Sequence, residues 1–145
     1  MTYKIIFDTN FYYSAIGFDN LLYRLLVCMI KDDSKFQQYS SPAIIQELTT
    51  KLYSSKFDQK TKNQIFQPQK DKFIELITKY CKIVTPTVEI KVCRDPKDDM
   101  FLELASTIGA DYIITGDKDL LVIGGYQGVK IRKPSEFIEE LGIAV

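Results

Sequence analysis

Short apolar runs and amphipathic stretches alternate along the chain, and this alternation predicts alternating strands and helices. Tyr3–Phe7 is an apolar, β-branched run that predicts a buried strand, and Asp8, Thr9 and Asn10 after it predict a polar turn. Apolar residues recur at helical spacing between positions 18 and 30. The first part of the chain therefore predicts a strand, a turn and a helix.

The same alternation continues to the end of the chain. Further strands are predicted at 36–40, 82–84, 111–115 and 128–131, with an extended stretch at 88–92 and a turn at 124–128. Further helices are predicted from Ser41-Pro42, over 56–66, beyond Pro68, from Asp95-Pro96 and from Pro134. This order predicts a three-layer α/β/α sandwich with a mainly parallel central sheet, as one domain spanning 1–145.

The chain has no histidine, and this changes which chemistry is available to it. Catalytic triads with histidine, zinc proteases of the HExxH type and histidine acid–base catalysis are all excluded. The three cysteines, Cys28, Cys81 and Cys93, lie far apart and form no CxxC pair, so a zinc site is not supported. Any chemistry must come from carboxylates, lysines, hydroxyls or a cofactor.

Cysteine usage and hydropathy indicate the compartment. Sparse, odd-numbered cysteines argue against a secreted disulfide scaffold. The apolar stretch from Leu25 to Ile30 is much shorter than the roughly 20 residues that a membrane span needs, and Asp8 interrupts the run that a signal peptide would continue. We expect a reduced, cytoplasmic protein with no membrane association.

Charge is balanced over the whole chain but not along it. The chain has 19 basic and 19 acidic residues, yet positions 51–82 hold eight lysines and only three acids. This lysine-rich middle is either a rim that attracts phosphates or a solvated helical face.

Four acidic residues are candidates for a common site. In a parallel sheet, ligands bind beyond the carboxyl ends of the strands, and Asp8 and Asp117 follow two predicted strands closely. Asp98 shares the inward stripe of its helix with Leu102, whereas Asp99 turns about 100° away and is expected to be more exposed. Glu47 lies on the flank of the helix that begins at Pro42.

Four carboxylates that converge without a counterion would repel one another strongly, so their convergence makes sense around a divalent cation. Oxygen ligands alone select Mg²⁺ or Mn²⁺. Each acid also has a structural alternative. Asp8 would end a strand, Glu47 would be a surface residue, Asp98 would be a first-turn helix acid and Asp117 would form a turn with Gly116.

Several segments together resemble a known family. They are FDTNFYYSAI, SSPAIIQEL, RDPKDDMFLELASTIGADYIITGDKDLL and the closing IRKPSEFIEEL, and they cover nearly the whole chain. These segments are similar to the PIN domain, specifically to stand-alone toxin components of toxin–antitoxin systems, the VapC-like ribonucleases. The resemblance implies a metal-dependent endoribonuclease acting on single-stranded or structured RNA, often dimeric and restrained by an antitoxin.

The resemblance also implies roles for individual residues. The four catalytic, metal-holding acids of the family match Asp8, Glu47, Asp98 and Asp117, and supporting positions match Thr9, Asn10, Thr115 and Asp119. Asp99 is the alternative to Asp98 as the third acid. We expect one or two metal ions to activate water for hydrolysis of the phosphodiester, with Thr115 or Asn10 positioning a water or a carboxylate.

Residues outside the acidic set have predicted roles as well. Four lysines are predicted to guide the RNA backbone: Lys51, Lys56, Lys60 and Lys62. Tyr12 and Tyr13 could stack on bases, but packing within the protein or against a second subunit is the interpretation we favour.

Two other functions fit parts of the sequence. Asp8 and Asn10 evoke haloacid-dehalogenase phosphatases, although these carry a second Asp where Asn10 stands. A PIN-like module that binds RNA or protein without cleaving it is the non-enzymatic alternative.

Overall fold

The computed structural model describes residues 1–145 and contains a six-stranded sheet with eight α-helices. The strands are β1 (Tyr3–Phe7), β2 (Phe36–Ser40), β3 (Cys81–Ile83), β4 (Tyr112–Ile114), β5 (Gly125–Tyr126) and β6 (Val129–Arg132). The helices are α1 (Thr9–Gly17), α2 (Asn20–Lys31), α3 (Pro42–Leu52), α4 (Ser55–Lys60), α5 (Gln67–Tyr80), α6 (Asp99–Ile108), α7 (Lys118–Leu121) and α8 (Pro134–Leu141).

The sheet has the order β3-β2-β1-β4-β6-β5, in which only the short edge strand β5 runs antiparallel to its neighbour. Alternate residues of β1 enter two separate cores, because side chains alternate between the faces of a strand. Ile5 and Phe7 join the core under α1, α2, α5 and α8, whereas Ile6 joins the core under α6 and α7. The predicted three-layer α/β/α architecture with a mainly parallel sheet is therefore confirmed.

The centre of the sheet determines where a ligand can bind. β1 pairs with β2 on one side and with β4 on the other, both in parallel, so the carboxyl ends of the three strands meet at one edge. The backbone N–H of Asp8 donates to the carbonyl of Ile114, which extends the β1–β4 pairing to the end of β1. The strand order reverses between β1 and β4, and a crevice opens at such a point in parallel sheets.

Helix α1 was not predicted. The sequence analysis placed a polar turn at Asp8 to Asn10, but the helix begins at Thr9 with Asp8 as its N-cap. Phe11, Tyr12 and Ala15 are all buried in this helix. A helix that is apolar on most sides has no amphipathic pattern, so periodicity alone does not reveal it.

The two tyrosines of α1 pack inside the protein, as we favoured. Tyr12 is fully buried, its ring packs edge-on against Phe7, and its hydroxyl donates to Gln38 Oε1 over 3.0 Å. Tyr13 packs edge-on against Phe57, with ring centroids 5.1 Å apart.

Other boundaries also differ from the predictions. The predicted helix at 56–66 is shorter, because Lys62 and Asn63 both adopt left-handed backbone angles after α4. The segment that follows Asp95 begins as a single 3₁₀ turn, Pro96–Asp98, before α6. Positions 125 and 126, predicted to lie in a turn, form β5.

No single helix is both long enough and apolar enough to span a membrane, and only α1 and α2 taken together, bent by 112° between them, reach that length and composition.

The buried hydroxyl of Tyr12 generates a prediction about stability. In Tyr12→Phe the side-chain oxygen of Gln38 loses its 3.0 Å donor inside the core. We expect the free energy of unfolding in urea to fall by about 1 kcal/mol, because Gln38 Oε1 then keeps only the weak donor of the Cys81 thiol at 3.7 Å and its desolvation is poorly compensated. Tyr126→Phe removes a partly exposed hydroxyl and is the control, with an expected change below about 0.5 kcal/mol. Equal effects of the two variants would contradict the prediction.

Candidate active site

All four predicted acids line one cavity of about 620 Å³ beyond the carboxyl ends of β1 and β4. Asp8 follows β1, Glu47 projects from α3, Asp98 ends the 3₁₀ turn and Asp117 follows β4. Phe101 and Lys97 also line this cavity. The structure therefore brings together acids that lie more than 100 positions apart in the sequence.

Asp8 is the most tightly held of these acids. Its Oδ1 accepts from the backbone N–H of Phe11 over 2.8 Å, and its Oδ2 accepts from the Thr115 hydroxyl over 2.5 Å. The same Thr115 oxygen accepts from the backbone N–H of Asp117 over 2.9 Å. Thr115 thus links the Asp8 carboxylate beyond β1 to the backbone beyond β4.

Burial sets the charge state of Asp8. It raises the pKa of this carboxyl to about 6, although the hydrogen bonds from Thr115 and Phe11 favour the ionised form. The negative charge of Asp117 raises the pKa further.

Three carboxylates form a close group at the cavity, because Asp98, Asp117 and Asp119 each offer an oxygen within 4.8 Å of the others. Asp117 is the N-cap of α7, and its Oδ1 accepts from the backbone N–H of Asp119 over 2.9 Å. Burial, and then the charge of Asp117, raise the pKa of Asp98 to about 7. The sequence analysis gave Asp119 a supporting position, and the structure places it within this group.

Asp98 and Asp99 have different surroundings. Asp99 Oδ1 accepts from the backbone N–H groups of Val92 and Cys93 over 3.1 and 2.8 Å. Burial alone would raise the pKa of Asp99, but these hydrogen bonds lower it below the usual value. Asp98 faces the cavity, whereas Asp99 fastens the preceding segment to α6.

The expectation that Asp99 is the more exposed of the two is wrong, since both are buried. Residue spacing along the helix reflects only contacts made by that helix. The chain before Asp95 folds back over Asp99 and covers it.

Glu47 and Asn10 are engaged by Lys51 at the rim of the cavity. Lys51 Nζ lies 3.8 Å from Glu47 Oε1 and donates to Asn10 Oδ1 over 3.1 Å. Asn10 is one of two residues expected to position a water or a carboxylate, and its side-chain oxygen accepts from this lysine. Glu47 lines the cavity but stands outside the group of three close aspartates.

Two buried oxygen atoms of residues in this cavity have no hydrogen-bond partner. They are Thr9 Oγ1 and Asp98 Oδ2. Buried polar atoms nearly always have partners, so two such atoms beside one oxygen-lined cavity point to a ligand. The donor set contains carboxylate and hydroxyl oxygens with no sulfur, which is the set that Mg²⁺ and Mn²⁺ prefer. The residues present therefore fit a hard divalent cation.

A smaller cavity of about 180 Å³ adjoins the acidic one. Lys51, Lys56 and Lys60 line it, and it shares Asn10 and Lys51 with the acidic cavity. Lys62, the fourth lysine predicted to guide RNA, lines neither cavity.

Three charged residues near the site were not predicted from the sequence, and one of them is Lys97, which lines the acidic cavity. Asp95 lines the acidic cavity, and its Oδ1 caps the 3₁₀ turn by accepting from the backbone N–H of Lys97 over 3.0 Å. Arg94 Nη2 donates to Asp119 Oδ2 over 3.2 Å. All three residues lie in the RDPKDD segment, whose density of charge was the available signal.

The chain belongs to the PIN domain family, whose model matches residues 4–119. Proteins of this family are generally nucleases that depend on divalent metals. The chain is 30% identical to the uncharacterized protein MJ1680 of Methanocaldococcus jannaschii, over 94% of this chain and 90% of that protein.

Two solved structures are similar in fold. The first is PAE2754 from Pyrobaculum aerophilum, with a TM-score of 0.62 and 14% identity over 98% of both chains. The second is VapBC2 from Rickettsia felis, solved bound to a DNA fragment from its promoter, with a TM-score of 0.59 and 12% identity over 90% of this chain and 98% of that chain. At these identities the likeness shows a shared fold.

The buried acids generate a prediction about stability and pH. The pKa of Asp98 is about 7 in the folded protein and about 4 in an unfolded chain. Its contribution to stability is therefore complete below about pH 4 and is lost as the pH rises through about 7. We expect the metal-free protein in EDTA to have a higher free energy of unfolding at about pH 5 than at about pH 8, and Asp98→Asn to flatten this dependence.

Asp99→Asn is the matched control, because it removes the same charge one position away. Its carboxylate already has a lowered pKa and accepts two backbone hydrogen bonds. We expect this variant to lose about 1 kcal/mol at pH 8 and to keep the wild-type dependence between about pH 5 and 8. A pH dependence in Asp98→Asn equal to that of the wild type would refute the assignment.

Proposed function

We propose that this protein is a metal-dependent endoribonuclease that hydrolyses phosphodiester bonds of RNA. The observation that carries the proposal is the convergence of Asp8, Asp98 and Asp117 on one cavity, two of whose lining residues carry an unpartnered buried oxygen. Membership of the PIN domain family supports the same reaction class.

The acids that line the cavity, together with Asp119, are the proposed metal ligands. Mg²⁺ or Mn²⁺ bound there would activate a water and stabilise the leaving oxygen of the phosphodiester. Thr115 holds Asp8 in one orientation by donating to its Oδ2. Asp98 must lose its proton to bind a cation, so metal affinity should increase as the pH rises through about 7.

The adjoining lysine cavity supports RNA as the substrate. Lys51, Lys56 and Lys60 surround about 180 Å³ with no acidic residue in its lining. Like charges that converge in this way favour an anionic ligand, and the two cavities adjoin at Asn10 and Lys51. A strand with one phosphate at the acids would extend into the lysine cavity.

The biological role proposed here is that of the toxin of a toxin–antitoxin pair. The fold shared with VapBC2 supports a cognate antitoxin as a partner. We extend the proposal to a homodimer that works in the cytoplasm. Purification with the product of a neighbouring small gene would test the antitoxin, and light scattering would test the dimer.

Asp8→Asn tests the catalytic proposal. We expect more than about a 100-fold loss of Mg²⁺-dependent cleavage of a single-stranded RNA, because even outer-shell substitutions at metal sites cost about 10–100-fold. The fold should persist, since an Asn side-chain oxygen can still cap α1. Asp71→Asn, an exposed acid on α5, is the control and should cleave as the wild type does.

Undiminished cleavage by Asp8→Asn would overturn the catalytic assignment. Binding of RNA without any cleavage by the wild type, and without Mg²⁺ or Mn²⁺ binding in calorimetry, would favour a non-catalytic module. Turnover of a phosphomonoester with no action on RNA would favour a phosphatase.

The lysine cavity generates a prediction about salt. Each phosphate contact on a single strand contributes about 0.7 to the slope of log affinity against log salt. Replacing Lys51, Lys56 and Lys60 together by Gln should therefore reduce the slope by about 2. Lys62→Gln tests the fourth predicted lysine separately, and the structure leads us to expect a smaller change. An unchanged slope in the triple variant would exclude this cavity as part of the RNA path.

A further inference from the structure

Arg94 stands at the edge of the acidic group on backbone that is fixed on both sides. The backbone N–H of Cys93, before it, donates to Asp99 Oδ1 over 2.8 Å. Asp95, after it, caps the 3₁₀ turn, and its carbonyl accepts from the backbone N–H of Asp98 over 3.0 Å. The position of the Arg94 backbone relative to the acids is therefore set by several hydrogen bonds.

The side chain of Arg94, in contrast, is almost free. It is 86% exposed, and its one hydrogen bond runs from Nη2 to Asp119 Oδ2 over 3.2 Å. An ion pair this exposed contributes little to stability, typically below about 1 kcal/mol. A guanidinium has five N–H donors, so four of them remain available to a ligand.

The partner of Arg94 places those donors beside the proposed reaction centre. Asp119 offers an oxygen within 4.8 Å of those of Asp98 and Asp117. A phosphate drawn to a cation among these three carboxylates would lie next to the guanidinium. The planar fork of arginine matches two oxygens of a phosphate, which a lysine cannot match in the same way.

We infer that Arg94 is a substrate-binding residue whose guanidinium donates to the two non-bridging oxygens of an RNA phosphate at the acidic group. Asp119 orients the guanidinium. This inference rests on the proposed ribonuclease function. It adds a cationic contact to the RNA beside Asp119, at one edge of the acidic group. The lysine cavity then supplies contacts to the RNA at the other edge, where Asn10 and Lys51 line both cavities.

The ion pair between Arg94 and Asp119 also allows an opposite interpretation, in which Arg94 inhibits the site. A guanidinium that pairs with Asp119 could act as a latch, meaning a side-chain cation that competes with the metal ion for this carboxylate. The two roles predict changes of opposite sign, because removing a phosphate ligand weakens RNA binding, whereas removing a latch strengthens metal binding and raises activity.

The experiment compares Arg94→Gln and Arg94→Lys with Lys91→Gln as the matched control. Lys91 lies in the same segment, is 83% exposed and also pairs with an acid, Glu89, at 3.4 Å. RNA affinity is measured by fluorescence anisotropy with a labelled single-stranded RNA of mixed sequence in Mg²⁺. Each substitution is made in the Asp8→Asn background, so that the RNA stays intact. Cleavage is measured with the same substitutions in the wild-type background, and Mg²⁺ affinity by calorimetry.

We expect Arg94→Gln to weaken RNA binding by about 10-fold or more, to reduce the salt slope by about 1 and to lower kcat/KM by about 10- to 100-fold. Arg94→Lys should keep the salt slope and recover part of the affinity. Lys91→Gln should match its parent in all three measurements.

Equal RNA affinity and cleavage in Arg94→Gln and Lys91→Gln, with Asp8→Asn still inactive, would overturn this inference and leave the proposed function standing. Tighter Mg²⁺ binding and faster cleavage by Arg94→Gln would also overturn it, in favour of the latch. A wild-type protein that neither binds nor cleaves the RNA would remove both proposals.

Discussion

The hydroxyl of Thr115 is the contact on which the candidate site depends. It donates to the Asp8 carboxylate at the end of β1 and accepts from the backbone N–H of Asp117 beyond β4. The parallel pairing of β1 with β4 brings these groups together, with Phe7 opposite Ile114. A shift of this register by one residue would turn Asp8 toward the other face of the sheet, since side chains alternate along a strand.

Burying several carboxylates around one cavity opposes folding, and the fold offsets part of that cost with helix starts. Asp8 caps α1 and Asp117 caps α7, where backbone N–H groups stabilise the negative charge. Asp98 makes no such cap hydrogen bond, and its Oδ2 has no partner. Asp98 therefore has the most to gain from a cation. Burial raises the pKa of both acids, and the pKa of Asp98, about 7, is higher than that of Asp8, about 6.

Local pattern was enough to predict five of the six strands, all but β5, and to mark the acids that follow two of them. Asp8 and Asp117 could be predicted because each follows a short apolar strand, and parallel strands end at a common edge. Helix α1 could not be predicted, because its apolar residues face several parts of the core at once. The burial of Asp99 depends on Val92 and Cys93 folding back over α6, and spacing within one helix contains no information on that contact.

The arrangement of charge separates a cation site from an ordinary cluster of surface ion pairs. The two side-chain cations that form ion pairs here engage acids at opposite edges, Lys51 with Glu47 and Arg94 with Asp119. Asp8, Asp98 and Asp117, which lie between these edges, form no salt bridge. If the acids served only to make surface ion pairs, the most buried of them would need a lysine or an arginine most. Asp8 and Asp98 are the buried acids of this group and form no salt bridge, which favours a divalent cation over surface ion pairing as their counterion.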